Sequence, residues 1–171
     1  YPIGDGTVSG QIDDECGKMN INALILIGGN DRNNDWDKRM RRLFEVVGAD
    51  PALVAALIDW MDKDDVPTDG YGAESDFYAN QPRPYRARNG PIVTLQELHL
   101  IRGIDEKVYA KVSPFLTPAK CDGAPALVNV NTAAPEVLES LDPDRQIDPS
   151  MAAKIIAGRP YKAVVEVKTV V

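Results

Sequence analysis

Residues 62–92 carry no long apolar periodicity. They hold Pro67, Pro82, Pro84 and Pro91 together with Gly70, Gly72 and Gly90. Proline fixes φ and lacks a donor, and glycine weakens regular elements, so neither a long helix nor a central strand fits here. An irregular segment of this length inside a compact domain is usually functional or disordered. Trp60, Tyr71, Phe77, Tyr78 and Tyr85 lie in or beside it, and that aromatic content argues for order. The chain must therefore fold around a fixed irregular loop.

The flanking sequence supplies regular elements. Residues 1–27 read as β: Gly4, Gly6 and Gly10 punctuate short stretches, and the run Met19 to Ile27 begins with alternation and ends apolar. A polar loop, Gly28 to Asp35, follows. Trp36, Met40, Leu43, Phe44 and Val47 recur at helical spacing, with Arg39, Arg41 and Arg42 outward. Asp50 as N-cap and Pro51 in the first turn predict a second helix running to Met61. Thr94 and Glu97 form a capping box for a helix that Gly103 ends, and Asp105 to Leu116 makes a further short helix. Thr132 caps the segment around Pro135 to Leu141, and Pro149 to Ala157 makes another helix. The stretches 94–116 and 132–159 thus form a weak internal repeat of helix, turn, helix. The Val-rich tail, Ala163 to Val171, reads as a strand. Strands at both ends around a helical middle give an α+β fold with a helical insertion.

Charge and composition narrow the function. The 171 residues carry 19 Lys+Arg against 26 Asp+Glu, a formal net charge of −7, and one His. Polyanion binding rests on cations that neutralise phosphates, so nucleic acid is a poor partner. One His disfavours a His-rich zinc site or a Ser/His/Asp triad. His99, inside the Thr94 helix, reads as a surface or packing residue. No run approaches the roughly 18 apolar residues of a membrane span. The chain begins at Tyr1 rather than Met and is expected to be a trimmed piece of a longer protein. Cys16 and Cys121 are far apart and in no CxxC pair, which disfavours thiolate zinc or thioredoxin chemistry. They are either two free thiols or one long-range disulfide; their small polar neighbours make the bridge sterically easy, and a bridge implies an oxidising compartment.

The densest polar feature runs from Asp59 to Asp76, with seven carboxylates in 18 residues. Like charges repel, and acids at a helix C-terminus oppose its dipole. Arg83, Arg86 and Arg88 could compensate in part; a hard divalent cation would do so better, since calcium takes six to eight oxygens from an irregular loop. Asp62-x-Asp64 opens like an EF-hand loop, but Val66, Pro67 and Ala73 then depart from it. A different calcium loop and a merely solvated acidic loop both remain. A glycosidase pair of carboxylates is disfavoured, because this length leaves little room for a cleft. Val128 to Leu138 and Ala152 to Arg159 resemble the helix-hairpin-helix of competence DNA-receptor proteins, which offer glycine N–H groups to phosphate. Here Leu141 to Pro149 has no glycine, two prolines and three acids, so the hairpin reads as a packing unit.

A broader resemblance covers almost the whole chain, in order. Gly10-Gln11-Ile12-Asp13-Asp14-Glu15, Lys18-Met19-Asn20-Ile21-Asn22, Leu57-Ile58-Asp59-Trp60-Met61-Asp62-Lys63-Asp64, Gly72-Ala73-Glu74-Ser75-Asp76-Phe77-Tyr78, Pro84-Tyr85-Arg86-Ala87-Arg88-Asn89-Gly90-Pro91, Glu97-Leu98 with Ile101-Arg102-Gly103-Ile104, and Asn129-Val130-Asn131-Thr132-Ala133 resemble the minor pseudopilin K family (GspK) of the type II secretion system. That resemblance implies a non-enzymatic subunit that caps the pseudopilus tip and helps initiate its assembly for protein secretion across the outer membrane. It implies a periplasmic domain, anchored in the inner membrane of a Gram-negative bacterium by an N-terminal helix that this sequence does not contain. The implied partners are minor pseudopilins I and J, with the major pseudopilin below. The implied architecture is a pilin-like body from residues 1–30 and 161–171, with an inserted helical domain at 31–160. The family binds calcium in its insertion, so Ca2+ is the expected cofactor. Asp62, Asp64, Asp69 and Glu74 are the first-choice ligands here, followed by Asp59, Asp76 and Asn89. The family runs on further after Arg159-Pro160-Tyr161-Lys162, whereas Ala163 follows here at once, which leaves the number of final strands open.

Overall fold

Two helices make the deepest part of the core. Helix α1 (Asn34–Val46) opens where Asn33 Oδ1 accepts the Trp36 N–H at 3.2 Å, and it buries Trp36, Met40, Leu43 and Phe44. Helix α2 (Leu53–Met61) is buried along its whole length, as a helix apolar all round but for Asp59 is expected to be. The computed structural model describes residues 2–3, 6–7, 9–10, 12–121, 123–124 and 126–167. Its further helices are α3 (Ser75–Ala79), α4 (Glu106–Val112), α5 (Pro135–Ser140), α6 (Pro149–Ala157) and α7 (Val164–Val167). Helix α5 packs on both α1 and α6.

Sheet is sparse. Strands β1 (Pro2–Ile3) and β2 (Gly6–Thr7) pair antiparallel. Strands β3 (Met19–Asn20) and β4 (Leu116–Thr117) pair parallel, Met19 opposite Leu116. Beside that pair, Cys16 and Cys121 form the disulfide that the sequence left as one of two possibilities, with Cα atoms 5.5 Å apart. The bridge and the parallel pairing together hold the start and the end of the 16–121 segment side by side. The observed architecture is therefore mixed but mainly helical.

Several local expectations need correction. Residues 1–27 are not continuous β. After β3 the chain turns into a 3-10 helix, Ile21–Leu24, because Asn20 Oδ1 caps the Asn22 N–H at 2.8 Å. The Asn22 side chain then bridges Ile92 and Pro118, so polar side chains end the strand. Helix α2 opens at Leu53 rather than Pro51, although Asp50 still accepts the Ala52 N–H. Thr94 and Glu97 do form the capping box, but over a 3-10 helix, Leu95–Leu100. Thr132 does not cap α5: its hydroxyl donates to Asp14 at 2.7 Å, and Ala134 takes the cap position. The tail is not a strand over 163–167; Glu166 accepts the Lys162 N–H at 2.7 Å and closes the α7 turn. Gly4 and residues 168–171 lie outside the described residues.

Both helix–turn–helix units are present, and their turns are held differently. In the second, Asp142 accepts N–H groups from Asp144, Gln146 and Ile147. In the first, Arg102 folds back over Tyr71 and Phe77, 4.8 and 4.9 Å from their ring centroids.

Candidate functional site

The C-terminal end of α2 places the acids. Asp59 lies on the last turn, and Asp62 is the C-cap, its N–H still bonded to Ile58 O. The chain then loops through residues 63–73 and returns Glu74 as the residue before α3. One carboxylate oxygen from each of Asp59, Asp62 and Glu74 lies within 4.8 Å of the others, and all three residues are buried. Gly72 makes that return possible, since a Cβ there would stand 2.0 Å from Asp59 Oδ2 and 2.4 Å from the Thr68 nitrogen.

Hydrogen bonding does not account for this cluster. Asp59 is satisfied in part, accepting the Thr68 N–H at 3.0 and 3.1 Å. Asp62 Oδ1 and both Glu74 oxygens are buried with no partner. Buried polar groups are nearly always hydrogen-bonded, and an uncompensated buried charge is costlier still. The proton equilibria respond accordingly. Desolvation, with Asp64 and Asp59 adding repulsion, pushes Asp62 up to about 7. Desolvation and the neighbouring acids push Glu74 up to about 8. Desolvation also raises Asp59, against its hydrogen bonds to Thr68. Three buried carboxyls therefore compete for protons in a place where only a positive charge would let all of them ionise.

The other candidate residues lie differently. Asp64 accepts the Val66 N–H at 2.9 Å; it shares a cleft of about 250 Å³ with Asp62 and Asp69. Asp69 turns to the arginines instead, its Oδ2 2.9 Å from Arg32 and 2.8 Å from Arg41. Asp76 is exposed in the first turn of α3. Asn89 donates its N–H to Trp60 O at 3.0 Å and keeps a buried, unpartnered Oδ1. The compensating role given to Arg83, Arg86 and Arg88 is not observed. Arg32 and Arg41 fill it for Asp69, and Arg88 pairs with Glu97 at 3.1 Å. Sequence reasoning missed Arg32 and Gly72, and the only signal for the latter was its place just before Ala73-Glu74.

A donor set of carboxylate oxygens alone, without His or Cys, suits a hard cation. The partnerless oxygens mark where one would fit. Asp59, Asp62 and Glu74 could hold it, with Asp64 adding field beside them.

Among the described residues no helix is long and apolar enough to cross a membrane. Residues 17–119 and 128–169 match two family profiles, both described as type II secretion system protein K. The protein K of Aeromonas hydrophila is 29% identical over 176 residues, covering 95% of this chain and 52% of that protein. The protein K of Pseudomonas aeruginosa is 32% identical over 158 residues, covering 90% of this chain and 45% of that protein. This chain thus spans about half the length of these curated relatives. In fold it resembles a chain of the GspK-GspI-GspJ complex from enterotoxigenic Escherichia coli, with a TM-score of 0.63 and 18% identity over 92% of this chain and 60% of that one. Two adjoining profile matches that together take in most of the sequence place this chain in the type II secretion system protein K family.

Proposed function

We propose that this chain is the periplasmic part of a minor pseudopilin that caps the pseudopilus tip and helps initiate its assembly. Its role is structural rather than enzymatic. Its partners are pseudopilins I and J, with the major pseudopilin below the tip, and a preceding helix outside this sequence anchors it in the inner membrane. The family match and the three-protein complex of the structural neighbour support this reading. Residues 31–160 are the inserted domain of this proposal and residues 1–30 with 161–171 the pilin-like body. The test is co-expression with I and J of the same system. A complex that co-purifies through size exclusion is the expected result, and three separate peaks would end the proposal.

Within that subunit, Asp59, Asp62 and Glu74 bind Ca2+, and Asp64 contributes from the edge. The observation that carries this is the trio of partnerless carboxylate oxygens within one buried cluster. The ion supplies positive charge, so that the three carboxyls ionise together. The residues do the rest: α2 presents Asp59 and Asp62, and the Gly72 return brings Glu74 to them. A ligand that binds only the folded state stabilises it, by about 2.7 kcal/mol at a hundredfold excess over its dissociation constant. In a domain of this size that is roughly 5–10 °C of melting temperature. Chelation should remove that increment, added calcium should restore it, and a melting temperature indifferent to both would exclude the site.

The nucleic-acid alternative has no support at the second hairpin. Asp142 already occupies the amides that phosphate would need.

A further inference from the structure

Trp60 also lines a second feature, an open groove of about 800 Å³ bounded by residues 83–88 and by Val93 to Leu100. Its floor is fixed. Tyr85 packs edge-on against Trp60 with centroids 6.3 Å apart, and lies tilted against Tyr78 with centroids 5.1 Å apart. The Tyr85 N–H donates to Tyr78 O, and its hydroxyl donates to Leu100 O at 2.7 Å. Asn89 is pinned to Trp60 in turn. Residues 85 and 89 thus hold the segment in place, and the exposed Arg86 lies between them.

The groove leaves apolar groups in water: Val93 is 63% and Leu100 46% exposed. At its margin Arg88 is engaged by Glu97 and by Pro91 O. Arg83 and Arg86 are exposed, and neither makes a hydrogen bond or ion pair with any described residue. On a chain of net charge −7, two free guanidinium groups beside a rigid apolar floor reverse the sign locally. Guanidinium forks match carboxylates in bidentate geometry, and an apolar side chain seated in a pocket supplies affinity between them. Nucleic acid fits worse, because its affinity needs many cations and seven carboxylates stand in residues 59–76.

We propose that this groove docks a short acidic segment of a partner protein, with carboxylates on Arg83 and Arg86 and an apolar side chain over Tyr85, Val93 and Leu100. None of the carboxylates at the end of α2 lines this groove, which can dock such a segment whether or not they bind a cation.

The probe is a fluorescein-labelled peptide of alternating Glu and Leu, titrated with the whole chain and followed by anisotropy. Binding should weaken with salt. Arg83→Glu with Arg86→Glu should weaken it at least about tenfold, as charge reversal at an interface does. Arg83→Gln with Arg86→Gln should weaken it less, and Leu100→Asp should weaken it with both arginines intact. Lys38→Glu, an exposed cation on α1, should change nothing, and melting curves identify any variant that has lost its fold. A peptide with Ser for Leu should bind less tightly, and one with Lys for Glu should not bind. Undiminished binding by the double arginine variants overturns the proposal, as does equal affinity for the Ser peptide. Tighter, arginine-dependent binding of oligodeoxythymidylate would assign the groove to nucleic acid and overturn it equally.

Discussion

Asp69 and Glu74 stand five residues apart in one loop and meet opposite surroundings. Asp69 is half-exposed and clamped between Arg32 and Arg41. Glu74 is buried beside Asp59 and Asp62, and its oxygens have no partner. The difference lies in what runs alongside. Helix α1 and the turn before it carry arginines to the Asp69 side, where water still screens the pair and its net worth is small. On the other side α2 is apolar apart from its acids, so among the described residues no cation is at hand and the carboxyls are desolvated together. Side chains settle the first case; the second is left to protons or to a bound ion.

The sharpest way to break this contrast is Gly72→Ala. Its Cβ would overlap Asp59 Oδ2 and the Thr68 amide, an overpacking that costs about 3 kcal/mol and hence lowers the melting temperature by roughly 10 °C. The calcium increment should vanish with it. A variant that melts like the parent would show that the loop does not rely on this close approach.

Glu74→Gln should erase the calcium increment while leaving the chelated protein at least as stable as the parent, because it removes one of three repelling carboxyls. Thermal melts with calcium and with chelator check both halves, and a surviving calcium response excludes Glu74 as a ligand. Acidity sharpens the same point. With chelator present, the folded state holds protons on Asp62 and Glu74 up to about 7 and about 8, whereas ordinary values are 3.8 and 4.5. The folded chain therefore binds more protons than the unfolded one in between. Its stability from these groups is full below about pH 4 and is lost as pH rises through 7 to 8. Calcium should flatten that decline, and a melting temperature that rises over this window in chelator would contradict the burial argument. The smallest effect belongs to Asp69→Asn, at most about 1 kcal/mol, reduced by salt and indifferent to calcium. A calcium-dependent loss there would merge the two environments into one.

Much of this was legible in the sequence where local rules decide. The apolar spacing of Trp36, Met40, Leu43 and Phe44 gave α1, the Thr94–Glu97 pair gave its capping box, and Pro149 gave α6. The acidic run identified the region of the site. It did not sort the acids, because that depends on Arg32 and Arg41, which lie 37 and 28 residues from Asp69. The β reading failed where side chains from afar intervened. Asn22 reaches across 70 residues to Ile92, and no pattern of apolar residues records such a bond. Over 163–167 the Val-rich tail misled for a similar reason, since strand propensity acts only where a neighbouring strand is present.

The Cys16–Cys121 bridge joins residues 105 apart in sequence. Pulled from its two ends, the chain transmits tension from Cys16 straight to Cys121. The enclosed segment, with its acid cluster and its arginine-edged groove, is bypassed as a slack covalent ring. It stays unstretched under a load that straightens everything outside it, and a single cut within it releases no fragment.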